Sequence, residues 1–361
     1  MSTRTPDDTL SPEAAQEGWW HTLRRLAARD RYHERPWGWE IGLHLLRGER
    51  RWGVSYQEAA RETGLRPKRL RTIVSVVRTL EVSRRQDTSG RDTLPFKVYE
   101  ECQGLDQEAA DELLALAEAK RLSARGVRRE RRAREMRGAR TALIASAPGE
   151  LPAGVEVRHA SAERLLADLK PGSVDAIITD PPYGRAWLPR CVDVARLAAD
   201  ALTPDGVLAI MLGGLGGEEL DTITALRAHL PLRAVHYVVF DASNRLTKDW
   251  ASGLRSQVKP VVVLGRGERK LPAVTNAIMV NETEKDLDPW QQSTEGFAAL
   301  VERLTVPGAL VVDCCCGAAC TTGVACLRTG RRFIGGDSGE RVVPVARARL
   351  VQEVAALSQA A

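Results

Sequence analysis

Apolar positions along this chain follow two different rhythms, and the change of rhythm divides it. From Ser11 to about Arg137, Leu, Ala, Glu and Arg dominate and apolar residues recur every three or four positions, the spacing of amphipathic helices. Between Ala145 and Gly154 the cluster Ser146, Pro148, Gly149, Pro152 and Gly154 breaks that pattern. Short β-rich runs then alternate with helical spacing. The runs predict strands at 155–159, 174–179, 206–212, 234–240, 260–264, 309–313 and 332–336, and helices at 163–169, 188–201, 218–230, 294–304, 320–329 and 339–353. Such alternation gives an α/β domain, a mainly parallel sheet covered by helices on both faces. The predicted layout is a disordered tail over 1–15, an all-α domain over 16–144, a linker over 145–154 and the α/β domain over 155–355.

Composition supports two folded domains. The 361 residues are 43% hydrophobic and 27% charged, which excludes disordered and collagen-like chains. No apolar run approaches the roughly 20 residues of a membrane-crossing helix, and the polar N-terminus lacks a signal-peptide pattern, so a cytoplasmic protein with no membrane partner is expected. Five of seven cysteines (Cys314, Cys315, Cys316, Cys320, Cys326) crowd one stretch, which suits reduced thiols better than a disulfide framework. Successive strand residues point to opposite faces, so Cys314 to Cys316 cannot all reach one tetrahedral ion, and no metal is expected. The net charge of +5 is unevenly spread: residues 1–150 hold 29 Lys or Arg against 23 Asp or Glu, the remainder 23 against 24. A basic module facing nucleic acid, joined to a nearly neutral one, is the reading this asymmetry favours.

In parallel sheets ligands bind beyond the carboxyl ends of the strands, so those ends carry the candidate chemistry. The run 174–179 is followed by Asp180-Pro181-Pro182-Tyr183. Two prolines fix the backbone and remove two donors, leaving a rigid acceptor edge. An acid, rigid carbonyls and an aromatic ring suit a planar ring that bears an exocyclic amine. The competing reading is a proline-rich turn with Tyr183 packed on its own domain. A second strand end, Asp313, runs into Cys314-Cys315-Cys316-Gly317-Ala318-Ala319-Cys320 and a helix, where small residues let a ligand approach the backbone. About 20 residues on, Asp337 ends the next strand, placed for a ribose hydroxyl.

Taken together these segments resemble the DNA methyltransferases that modify exocyclic amino groups of adenine or cytosine. The catalytic motif of that family is similar to Asp180 to Tyr183, and its cofactor loop to Asp313 to Cys320, with Ala319, Cys314-Cys315 and Cys320 in place of the usual Gly, Pro-Phe and Thr. The strand that usually ends in Gly-Asp ends here in Ala160-Ser161, and Asp288 to Ser293 stands where the family's β group carries a His-Pro-x-Gln-Lys-Pro element. The resemblance, over about 153 to 350, implies a Rossmann-like class I methyltransferase domain with circularly permuted motif order, S-adenosylmethionine as cofactor, and a base flipped out of double-stranded DNA. It implies that Asp180, Pro181, Pro182 and Tyr183 are catalytic, and that Asp313, Cys315, Gly317, Ala319, Asp337 and Ser293 hold the cofactor. Asp-Pro-Pro favours adenine; a cytosine-amine enzyme, a non-catalytic DNA-binding regulator and an RNA methyltransferase are the alternatives. A homodimer is compatible with such an enzyme.

Upstream, Ser55 to Ile73 reads as helix, tight turn, helix: Ser55 and Glu58 form a capping box, Ala60 is small at the helix contact, Gly64 turns, and Leu70 and Ile73 face inward. Arg66, Lys68, Arg69 and Arg71 at the start of the second helix are candidate DNA contacts. The alternative is a helical hairpin with a solvated basic face. The stretch from Trp37 to about Arg134 also loosely resembles the helical DNA-binding region of ParB-type proteins. Eight arginines between Arg125 and Arg140 suit either phosphate contacts or i,i+4 ion pairs, and Trp19, Trp20, Trp37, Trp39 and Trp52 are expected in the core of the helical domain.

Overall fold

Ser11 and Pro12 begin the first helix: the Ala14 amide donates to the Ser11 hydroxyl at 3.2 Å, and proline is tolerated in a first turn. Helix α1 (Pro12–Arg31) therefore starts inside the expected tail. The computed structural model describes residues 11–31, 37–84, 92–182, 187–212, 217–240, 247–248, 255–256, 258–265, 267, 275–280 and 284–360. The chain divides into two units, Met1–Glu135 and Met136–Ala361.

The first unit continues through α2 (Gly38–Trp52), α3 (Tyr56–Thr63), α4 (Pro67–Leu80), α5 (Phe96–Glu100), α6 (Gln107–Ala119) and α7 (Ala124–Ser146). The capping box forms as its residues predict: the Glu58 amide donates to the Ser55 hydroxyl at 3.2 Å, and the Ser55 amide donates to the Glu58 carboxylate at 2.8 Å. Gly64 ends α3 at φ +67°, the left-handed conformation that glycine enters without strain. Leu70 and Ile73 are fully buried, but the buried small residue of α3 is Ala59; Ala60 lies one position round the helix and is half-exposed. Trp39 meets Phe96 and Tyr99 edge-on with ring centres 5.3 and 5.0 Å apart, and Trp19 stacks on His44 at 4.9 Å. Trp20, Trp37 and Trp52 pack, partly buried, against that core. On α7, Arg128 pairs with Glu101, Arg131 donates to the carbonyls of Glu101 and Gln103, and Arg134 pairs with Glu112. At the i,i+4 spacing Arg131 pairs with Glu135 at 2.8 Å and Arg134 with Glu130 at 3.7 Å, the pairs the ion-pair reading of the basic stretch expects.

The second unit begins within α7 and not near residue 150. Leu143 packs with Leu287, Ala318 and Val345, and Arg140 donates to the Leu287 carbonyl at 2.6 Å, so the last turns of the helix belong to the α/β unit. Its strands are β1 (Val155–His159), β2 (Val174–Thr179), β3 (Leu202–Met211), β4 (Leu232–Phe240), β5 (Thr247–Lys248), β6 (Arg255–Ser256), β7 (Val258–Gly265), β8 (Ala277–Val280), β9 (Leu310–Asp313) and β10 (Arg332–Asp337). Eight of them form one sheet in the order β1-β10-β9-β2-β3-β7-β4-β8. The first five are parallel, and β7 runs antiparallel between β3 and β4. The apolar run of β7 was predicted, but its direction was not, because a continuous apolar run reads alike both ways. Helices α8 (Ala162–Ala167), α9 (Leu188–Ala201) and α10 (Gly217–Arg227) cover one face. The other is covered by α11 (Thr294–Leu304), α12 (Thr321–Arg328) and α13 (Val343–Ala360). The mixed α/β fold predicted from the alternation is present.

Close packing of α2 on α4 rests on Gly42, where an added Cβ would come within 2.4 Å of Val77 Cγ2 and 3.2 Å of Ile73 Cγ2. Helix propensity alone would favour alanine there by about 1 kcal/mol. Overpacking costs about 1–3 kcal/mol, so the clash decides the sign: Gly42→Ala is expected to lower the thermal midpoint of the protein, and a raised midpoint would show that the helices can part without cost.

Candidate active site

Strands β2 and β9 are parallel neighbours with Ile177 opposite Val312, so Asp180-Pro181-Pro182 and the Cys314–Cys316 segment leave the sheet from adjacent strand ends. The carboxylate of Asp313 joins them. Its Oδ1 accepts from the Thr179 hydroxyl at 2.8 Å and the Cys315 amide at 3.0 Å, and its Oδ2 accepts from the Thr322 hydroxyl at 2.5 Å. Burial opposes its charge and pushes its pKa up to about 6, against the pull of those three donors. On the other side Gly335 of β10 lies opposite Asp313. Asp337 ends that strand, and its two oxygens accept from the amides of Gly317 at 3.1 Å and Gly339 at 2.8 Å.

Above these three strand ends opens a cavity of about 570 Å³, within the range of small-molecule sites. Asp180, Pro181, Pro182, Cys315, Gly317 and Asp337 line it together with Asp313 and Ala319. Gly317 has φ +61°, and a Cβ built there meets nothing within 4 Å, so the loop presents bare backbone to open space. A carboxylate has about four acceptor sites; the Gln292 amide takes one on Asp180 Oδ2, and the amides of Gly317 and Gly339 take two on Asp337. Lys259 also lines the cavity; burial lowers its pKa, and the charge of Asp180 partly offsets that. At the wall Arg190 grips Glu163 through two bonds of 2.5 and 2.7 Å and lies over the Trp187 ring at 5.4 Å.

The structure thus brings Asp180, Pro181, Pro182, Asp313, Cys315, Gly317, Ala319 and Asp337 to one cavity, while Tyr183 lies outside the described residues. Ser293 follows Gln292 of the cavity wall and caps α11, accepting from the Gly296 amide at 3.3 Å. The cysteines are divided between the two layers, Cys314 and the partly buried Cys315 in the layer under α9 and Cys316, Cys320 and Cys326 in the layer under α11 and α12. In the first unit Arg66, Lys68 and Arg71 are exposed, but Arg69 turns to a partly buried pair with Glu100. Position at the start of a helix predicts the exposure of the first three; the acid that captures Arg69 is 31 residues away and invisible to local spacing. Lys259 and Trp290 line the cavity although neither stood out in the sequence. The signal for Lys259 would have been the antiparallel direction of β7, which places the start of that strand at the carboxyl edge of its neighbours.

No protein-family model matches the chain. A protein of Escherichia coli (strain K12) described as the methylase YubD is 26% identical over 220 residues, 55% of this chain and 91% of that protein. Among solved structures, the complex of M1.HpyAVI with SAM overlaps 54% of this chain and 99% of its own, at 21% identity and a TM-score of 0.45. The cytosine-N4-specific PvuII DNA methyltransferase overlaps 55% and 89%, at 17% identity and a TM-score of 0.47.

Asp313 gives a testable pH dependence. A folded pKa above the unfolded value means that the native state binds more protons between about 3.8 and about 6, so the stability Asp313 contributes is present at low pH and is lost as pH rises through about 6. An asparagine there does not titrate. Chemical denaturation should therefore show wild type gaining on Asp313→Asn by up to roughly 1.4 kcal/mol per pH unit as pH is lowered from 6 towards 4; a constant difference would show that the carboxylate is not held in a desolvated site.

Proposed function

We propose that the chain is an S-adenosylmethionine-dependent DNA methyltransferase acting on the exocyclic amine of a flipped base, with adenine as the target. The observation that carries this reading is the convergence of Asp180-Pro181-Pro182 and the Asp313–Ala319 loop on one cavity that also holds Asp337. The 26% identity to a protein described as a methylase supports it. The order of the two motifs, catalytic before cofactor, fits the permuted members of the resembling family.

The residues present fit the cofactor. Asp337 has acceptor capacity beyond its two backbone donors, as a ribose diol requires, and the bare backbone at Gly317 leaves room for a ligand that a side chain would fill. S-adenosylmethionine, when bound, supplies an electrophilic methyl group on a sulfonium. Asp180 and the Pro181 carbonyl accept the two N–H bonds of the target amine and so aim its lone pair into the cavity. Gln292 holds Asp180 in place for this. Positioning and electrostatics then provide the rate gain. Asp313 acts one step back, as the residue that fixes both loops. Arg66, the N-cap of α4, and Lys68 and Arg71 in its first turns contact the phosphate backbone.

Mass spectrometry of nucleosides from mixed-sequence DNA incubated with the protein and S-adenosylmethionine tests the activity. N6-methyladenine should accumulate, and Asp180→Ala should lower its rate by roughly 100-fold or more. N4-methylcytosine instead would move the target to cytosine, and no methylated base would overturn the reading. Replacing Arg66, Lys68 and Arg71 together by alanine should weaken DNA binding and flatten its salt dependence by about 0.9 per lost phosphate contact in a log–log plot; an unchanged slope would remove α4 from the interface.

A further inference from the structure

The loop before α11 is pinned by several hydrogen bonds yet leaves its largest apolar side chain in water. The Trp290 amide donates to Asp288 Oδ1 at 2.9 Å, the Pro289 carbonyl accepts from Lys285 at 2.9 Å, and the Leu287 amide donates to Gln291 Oε1 at 3.1 Å. Arg140 pairs with Asp288 at 3.1 Å. Trp290 is nevertheless 75% exposed, although burying an indole is among the largest apolar gains a side chain offers. A fixed loop that withholds a tryptophan from the core has a partner for it elsewhere.

Its position identifies the partner's chemistry. Trp290 belongs to the wall of the cavity that holds Asp180, whereas the exposed Leu220, Met279 and Val306 do not. One side-chain nitrogen couples the two: Gln292 Nε2 donates to the Trp290 carbonyl at 3.1 Å and to Asp180 Oδ2. The backbone that carries the indole is therefore tied to the carboxylate that would receive an amine. A ligand meeting both must be flat, apolar on its faces and polar at its edge. That describes a nucleobase, whose π-face any aromatic ring can stack on.

We propose that Trp290 stacks on the face of the nucleobase that enters the cavity, as a base-contacting residue that favours the extruded state. This rests on the methyltransferase reading for the identity of the base, but stacking itself needs no methyl transfer. It also gives Gln292 a second role: by holding the Asp180 carboxylate and the Trp290 backbone together, it sets the distance between the edge contact and the face contact.

Two readouts on the full-length protein test it. With tritiated S-adenosylmethionine and mixed-sequence duplex DNA, Trp290→Ala should lower kcat/KM for DNA by about ten-fold or more, with Trp290→Phe keeping most of it and the affinity for S-adenosylmethionine, by calorimetry, unchanged. With a single-stranded oligonucleotide containing 2-aminopurine, wild type should quench the probe on binding and Trp290→Ala should not. Retained quenching and methylation in Trp290→Ala would overturn the proposal while leaving the enzyme reading intact. Loss of quenching by Trp290→Ala in a protein that methylates no DNA would uphold stacking and sink the enzyme. A loss of cofactor affinity matching the loss of rate, or a change from dimer to monomer in Trp290→Ala, would assign the indole to the cofactor or to a second copy of the chain and overturn the proposal.

Discussion

The site depends on one buried carboxylate. Asp313 is 3% exposed and spends its oxygens on Thr179 at the end of β2, on the Cys315 amide in the loop that follows it, and on Thr322 in the first turn of α12. Three separate pieces of chain are thereby held to one point. Burying a charge is costly unless its hydrogen bonds are made, and the rise of its pKa to about 6 shows that here they offset the cost only in part. In the proposed reading this cost is accepted because the geometry it enforces, acceptor edge beside ligand loop, is what positions two reactants.

Around that point the division of labour follows the sheet. Parallel strands β10, β9 and β2 deliver Asp337, the Asp313 loop and Asp180 to one edge in consecutive order. The antiparallel β7 adds Lys259 from its opposite end, giving the cavity a cation among its acids. The cysteines that crowd the loop serve the core: the turn that follows β9 leaves Cys314 in one helical layer and carries Cys316 into the other, so a run that looks like a ligand cluster becomes small apolar packing on both faces.

What was legible in the sequence was what is local. Strand ends, the capping box at Ser55, the turn at Gly64 and the acids that terminate β9 and β10 each follow from a few neighbouring residues. What was missed needed tertiary information. Arg69 lies on the basic start of α4, but Glu100 from α5 reaches it. Lys259 depends on strand direction and Trp290 on a loop whose bonds run to Arg140 and Asp180. The division of the chain at Glu135 shows the same limit, since the break in composition falls after the point where packing of Leu143 has already changed partners.

In the proposed reading one cavity, beside the loops that Asp313 joins, receives the cofactor next to the amine-accepting edge. Ultraviolet cross-linking of methyl-labelled S-adenosylmethionine to the full chain, followed by peptide mapping, tests it most directly. Label on peptides that contain Asp180–Pro182, Asp313–Thr322 or Asp337, displaced by unlabelled cofactor, is the predicted result. Displaceable label confined to other peptides, or no label that unlabelled cofactor displaces, would contradict the account.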